Sequence, residues 1–154
     1  MKNANSENTL IIGIGNEYRT DDAAGILAVR KLKQLAIPGV DIAENCGDGM
    51  ELIEQWNGRK KVILIDAVLS GSPPGTIHRL NANSTELKSD SFRFSSHLFS
   101  VQDAIYLSSS LGTLPENFII LGIEARSMEN GQQLSPEVES VVNNIEYAIK
   151  QELC

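Results

Sequence analysis

Cysteine is scarce: Cys46 and Cys154 are the two in 154 residues. Two thiols cannot build a disulfide framework, and a reduced compartment is expected. Aromatic residues are few, at 5% of the chain with a single tryptophan. Positive charge is also in deficit: 13 Lys and Arg face 20 Asp and Glu, a net charge of −7. That balance leaves no general electrostatic grip on nucleic acid or on an anionic lipid surface. No apolar run approaches the eighteen or so residues a membrane span requires. The first eight residues, Met1 to Asn8, are polar, expected to be flexible, and carry no apolar stretch with a small-residue cleavage site. A soluble, monomeric, cytoplasmic protein is expected.

What is present is a large apolar fraction, 42%. A chain of this length can bury about 70% of its unfolded surface in one domain without metals or disulfides, so residues 1–154 are expected to form a single domain. Thr9–Gly15 and Lys61–Val68 are continuous apolar runs, the pattern of strands covered on both faces. Asn117–Ile123 is a third, Val40–Glu44 a weaker one, and Thr76–Leu80 reads as an edge strand. Between them the period changes to helical. Gly25, Ala28, Val29, Leu32, Leu35 and Ala36 form one stripe, capped by Asp21 or Asp22 and stopped by Pro38-Gly39. Met50–Trp56 is a short helix, and Leu98, Val101, Ala104, Ile105, Ser108 and Leu111 make another stripe. Ser135 as cap and Pro136 at the first helical position open one last helix, with Val138, Val141, Val142, Ile145, Ala148 and Ile149 inward. Alternating strands and helices predict a three-layer α/β/α sandwich around a mostly parallel twisted sheet of about five strands.

Such sheets bind ligands beyond the carboxyl ends of their strands. Asp22 follows the first strand, Asp66 ends the third, and His97 stands just before a helix. Two carboxylates and an imidazole so delivered suit a divalent ion such as nickel or zinc. Each also has an ordinary role: helix cap, strand-end acceptor, first-turn polar residue. Both carboxylates are expected in open solvent, with weak metal affinity. A dinucleotide site is rejected, because Tyr18 occupies the place of the third glycine and Glu17 would repel phosphate. Cys46 lacks an evident base, His78 reads as a surface residue and Cys154 as inert.

Taken in order, Gly13-Ile14-Gly15-Asn16, Asp21-Asp22 and Gly25 resemble the N-terminal signature of the hydrogenase maturation endopeptidases. The resemblance continues through Gly49-Met50-Glu51-Leu52, Ile65-Asp66-Ala67, Ser96-His97, Leu121-Gly122-Ile123-Glu124 and Leu134-Ser135-Pro136-Glu137-Val138. It implies a twisted sheet between two helical layers. It also implies removal of a C-terminal peptide from the nickel-loaded large-subunit precursor of a NiFe hydrogenase. Asp22, Asp66 and His97 match the family's metal-contacting positions, with catalysis at the same three residues and Asp22 or Asp66 as the general base. The nickel is then presented by the substrate's cysteines, and no permanently bound cofactor is expected. Where many members carry Asp-Gly-Gly-Thr, this chain has Glu44-Asn45-Cys46-Gly47-Asp48, so Cys46, Gly47, Asp48 and Gly49 are the substrate-recognition candidates. Asp48 would offer a charge that a partner can match, and its replacement by Ala is expected to change precursor cleavage while leaving thermal stability nearly unchanged. The alternatives are a peptidyl-tRNA hydrolase-like esterase, opposed by the missing histidine at Asp21-Asp22 and by the net charge, and a non-catalytic nickel-dependent docking or chaperone module.

Overall fold

The computed structural model of the chain describes residues 9–84, 93–94, 101–131 and 133–153. At its centre β1 (Thr9–Ile14) and β3 (Lys61–Leu69) run parallel, Thr9 opposite Lys61 and Gly13 opposite Ile65. β2 (Val40–Asn45) flanks β1 and β6 (Asn117–Glu124) flanks β3, both parallel. β4 (Ile77–Asn81) closes the other edge antiparallel to β6, giving the order β2-β1-β3-β6-β4. The two-residue β5, Arg93–Phe94, pairs antiparallel with Val68 and Leu69, past the point where β1 leaves β3.

Side chains alternate across a strand, and β3 divides two cores accordingly. Ile63, Ile65 and Ala67 join α1 (Ala24–Gln34), α4 (Pro136–Asn143) and α5 (Ile145–Leu153) on one face. Val62 and Leu64 join α2 (Gly49–Trp56) and α3 (Val101–Ser110) on the other. The architecture is the expected three-layer sandwich. In the second core Trp56 is fully buried, edge-on to Phe118 at 4.9 Å, and its indole N–H donates to Ser108 Oγ at 2.8 Å. Truncating so well-packed a residue costs about 3–5 kcal/mol.

Several element ends differ from the sequence reading. α1 stops at Gln34, because Ala36 turns left-handed at φ 49° before Pro38-Gly39 is reached, and Leu35 is exposed. The single last helix is two: Asn144 breaks it, its side-chain amide donating to the Ser140 carbonyl. Both pieces keep the inward face, with Val138, Val142, Ile145 and Ile149 buried. Leu111 lies beyond α3 and is exposed. Residues 1–8 and Leu98 lie outside the described residues.

Candidate functional site

The glycines after β1 serve close packing. A Cβ on Gly25 would stand 2.2 Å from the Ile14 carbonyl oxygen and 2.4 Å from that of Ile65. One on Gly15 would stand 2.0 Å from the carbonyl oxygen of Asp22. The start of α1 is thereby pressed onto the carboxyl ends of β1 and β3, which sets the preceding 3₁₀ turn, Thr20–Ala23, against β3.

Adjacent acids on that turn do different work. Neither caps α1, whose N-cap is Ala23 with no side-chain hydrogen bond, a correction to the sequence reading. Asp21 points toward the 126–135 segment, where its carboxylate accepts from the backbone N–H groups of Arg126, Ser127 and Ser135 and from the Ser135 hydroxyl. Ser135 occupies the N-cap of α4, yet its hydroxyl is given to Asp21 rather than to the helix. Thr20, at φ 46°, donates its hydroxyl to the Ser127 and Glu129 carbonyls, and its N–H goes to Gly131. The turn and the 126–135 segment are therefore one knitted unit, and it holds Asp22.

Asp22 is 2% exposed, with Arg19 Nη1 3.8 Å from its carboxylate. Asp66 is 0% exposed, and its Oδ1 accepts from the Ala67 N–H at 2.8 Å. The expectation of open solvent is corrected: both carboxylates are buried, because the glycine-mediated contact brings α1 and its turn down over the strand ends. The structure thus brings the elements carrying Asp22 and Asp66 together. His97 lies outside the described residues. Among the described residues no three His, Cys, Asp or Glu side chains are grouped to hold a metal ion.

A cleft of about 540 Å³ opens beside the ends of β1 and β2, lined by Gly15, Asn16, Tyr18, Arg30, Asn45 and Cys46 among others. Arg30 bridges Glu17 and Glu44 at 3.0 and 2.9 Å on its wall, and their hydrogen bonds raise its already high pKa. Cys46 is exposed. The turn after it is built by the buried Asn45, whose Oδ1 accepts from Gly47 N and Asp48 N. Gly47 supplies the left-handed φ of 102° this turn needs. Asp48 is the N-cap of α2, accepting from Met50 N and Glu51 N. Its carboxylate is thus committed to the helix, so a stability cost on its loss is expected where the sequence reading expected almost none.

Sequence reasoning missed one polar cluster. His78 is half-buried rather than a surface residue, with Nε2 3.0 Å from Glu124 Oε1. Glu124, 1% exposed, also accepts from the Ser70 N–H and hydroxyl. An acid ending a buried apolar strand was the signal available; its partner depends on the antiparallel register of β4 on β6, which sequence does not reveal.

A family model described as hydrogenase maturation protease matches residues 26–152. The hydrogenase 2 maturation protease of Escherichia coli is 30% identical over 136 residues, covering 86% of this chain and 82% of that protein. The hydrogenase expression/formation protein HupD of Thiocapsa roseopersicina is 26% identical over 145 residues, and the match spans 92% of this chain but 66% of that longer protein. Among solved structures, the NiFe hydrogenase maturation protease HybD from Thermococcus kodakarensis superposes with a TM-score of 0.77 at 27% identity, covering 94% of this chain and 99% of that one. With the fold, the order of motifs and these similarities in agreement, the chain belongs to the hydrogenase maturation protease family.

Proposed function

We propose that the protein is an endopeptidase that removes the C-terminal extension from the nickel-loaded large-subunit precursor of a NiFe hydrogenase. The observation that supports this most directly is the placing of Asp22 and Asp66, buried carboxylates on contacting elements at the carboxyl edge of the sheet, in a chain of this family. Oxygen donors there, with the His97 imidazole, suit a borderline divalent ion. Nickel is cargo in this reading: it arrives on the substrate's thiolates, and Asp22, Asp66 and His97 add ligands to it. A precursor without nickel offers them nothing to grip, which makes metal loading the condition for cleavage. No resident cofactor is needed.

Hydrolysis then asks little more of the chain. One of the two carboxylates takes the proton of the attacking water as its oxygen bonds to the scissile carbonyl carbon. The C–N bond breaks, and the departing amine takes up a proton. The Cys46–Gly49 turn, on the rim of the 540 Å³ cleft, is the surface we assign to choosing among precursors, with the exposed Cys46 thiol as the group that meets the partner. The reading places the protein in the cytoplasm as a monomer, without nucleic acid or membrane. Among the described residues no helix is long and apolar enough to cross one.

The test is to incubate the protein with nickel-loaded and with metal-free precursor and weigh the products. Shortening of the loaded precursor alone is expected. Tight binding of the loaded precursor without shortening would instead identify a nickel-dependent docking module.

A further inference from the structure

Glu124 is the last residue of β6, and its side chain is 2% exposed. Its Oε2 accepts from the Ser70 N–H at 2.9 Å; its Oε1 accepts from the Ser70 hydroxyl and stands 3.0 Å from His78 Nε2. Ser70 Oγ is also 3.4 Å from the same His78 nitrogen. The carboxylate therefore gathers the Ser70 N–H, the Ser70 hydroxyl and the imidazole at one point. This is not the relay of a serine nucleophile, in which histidine would stand between hydroxyl and acid.

What this cluster holds is the exit of β3. Ser70 is the residue directly after that strand, and Asp66 lies four positions before it. The backbone of Glu124 is tied in as well: its N–H donates to Thr76 O and its carbonyl accepts from Gly75 N. Across the sheet Asp66, Gly122 and His78 share one register row, with Val68 opposite Glu124 in the row beyond. Residues two apart on a strand share a face, so all five belong to the face of α2 and α3, with Leu64, Ile120 and Leu80. Gly122 leaves room for Val68, whose Cγ1 would lie 2.9 Å from any Cβ placed there. Val68, itself fully buried, thus lies over Gly122, the strand position between Asp66 and His78 in their shared row. A shift of the β3 exit would move Val68 and Asp66 together.

We propose that Glu124 is a positioning residue of the hydrolytic site, fixing through Ser70 and His78 the strand end that aims Asp66. The inference rests on the reading of Asp66 as a site residue. A buried carboxylate is costly to keep unless its hydrogen bonds are all made. Here those bonds join the exit of β3 to β4 and β6, the three strands whose alignment sets the direction of Asp66.

The experiment uses the full chain with Glu124→Gln and Glu124→Ala. Single-turnover cleavage of nickel-loaded precursor is measured against protease concentration, and amide hydrogen exchange is followed at Ala67 and Ser70. Glu124→Ala should lower the saturated rate by about tenfold or more while the half-saturating concentration changes by less than about twofold, the signature of a lost transition-state arrangement. Glu124→Gln, which keeps the volume and one acceptor for Ser70 N, should recover part of that rate and remains informative if the alanine variant does not fold. Exchange at Ala67 and Ser70 should accelerate in the variants while the amides of β2 are unchanged. Wild-type saturated rates in both variants, or unaltered Ala67 exchange, overturn the proposal. If the wild-type protein itself leaves the loaded precursor intact, the functional reading fails, and the exchange data still decide whether Glu124 fixes the strand end.

Discussion

Asp21 and Ser135 stand 114 positions apart and are joined by two hydrogen bonds, Ser135 N to Oδ1 at 2.7 Å and Ser135 Oγ to Oδ2 at 2.8 Å. With Arg126 and Ser127 N–H groups on the same carboxylate, Asp21 closes the segment before α4 onto the turn that carries Asp22. Its neighbour Asp22 is thereby spared the task of closing that segment.

Asp21→Ala should accordingly be among the most damaging single changes at this edge. Four donors lose a buried charged acceptor at once, and hydrogen bonds to ionised groups contribute more than neutral ones. A loss of about 3 kcal/mol is expected from urea unfolding. Asp21→Asn, which retains one carbonyl oxygen, should lose less.

Asp22→Asn and Asp66→Asn should behave oppositely. Each removes a charge from a buried position with little change of volume, so thermal stability should hold or rise, the usual trade at sites that store strain or charge for function. Cleavage of the nickel-loaded precursor should fall at least about 100-fold in both, a loss within the range of an acid–base group. Product mass over time against the melting temperature of the same samples checks the pair of statements.

Asp48→Ala should cost about 1 kcal/mol through loss of the α2 N-cap, whereas Asp48→Ser should be nearly neutral. Thermal denaturation distinguishes the two. A selectivity change that appears in Asp48→Ala but not in Asp48→Ser belongs to the mispositioned helix rather than to the lost charge.

The Arg126–Glu137 pair on the surface supplies a pH test. The Arg126 hydrogen bond holds the Glu137 carboxyl below its ordinary value, and the same bond raises Arg126. A depressed carboxylate contributes stability above its unfolded pKa, and that contribution disappears as pH falls through the folded value. The window is therefore acidic, below the ordinary glutamate range. Both groups are exposed, so the effect is small and screened by salt. In Arg126→Ala, carboxyl-carbon NMR should find Glu137 titrating at a higher pH than in the wild type.

Much of this fold was legible because its strands are covered on both sides. Ile11, Ile63 and Ile119 sit in unbroken apolar runs that a half-exposed strand would not carry, and helical spacing at Ala28, Val29 and Leu32 named the face that packs on them. The candidate site was legible only as positions. That Asp22 follows β1 and Asp66 lies toward the carboxyl end of β3 places them near one edge; that they are buried depends on how closely Gly25 lets α1 approach. The roles of Asp21 and Asp22 could not be separated in sequence, since the donors that claim Asp21 come from residues 126–135. The His78–Glu124 pair was hidden for the same reason, its contact being set by strand pairing. Local rules failed where a local alternative was equally good: the Asn144 side chain could end α4 or face solvent. His97, the nitrogen donor of the expected set, lies outside the described residues.

The packing of Trp56 has an optical consequence. It is the chain's single tryptophan, fully buried against Phe118, with its indole N–H held by Ser108 on α3. It also ends the helix that begins at the Cys46–Gly49 turn. Excited at wavelengths that tyrosine does not absorb, its fluorescence therefore comes from one place, the seam between α2, α3 and the sheet. Anything that pulls on the turn is transmitted along a two-turn helix to that indole, so an unlabelled molecule carries its own reporter of the cleft rim.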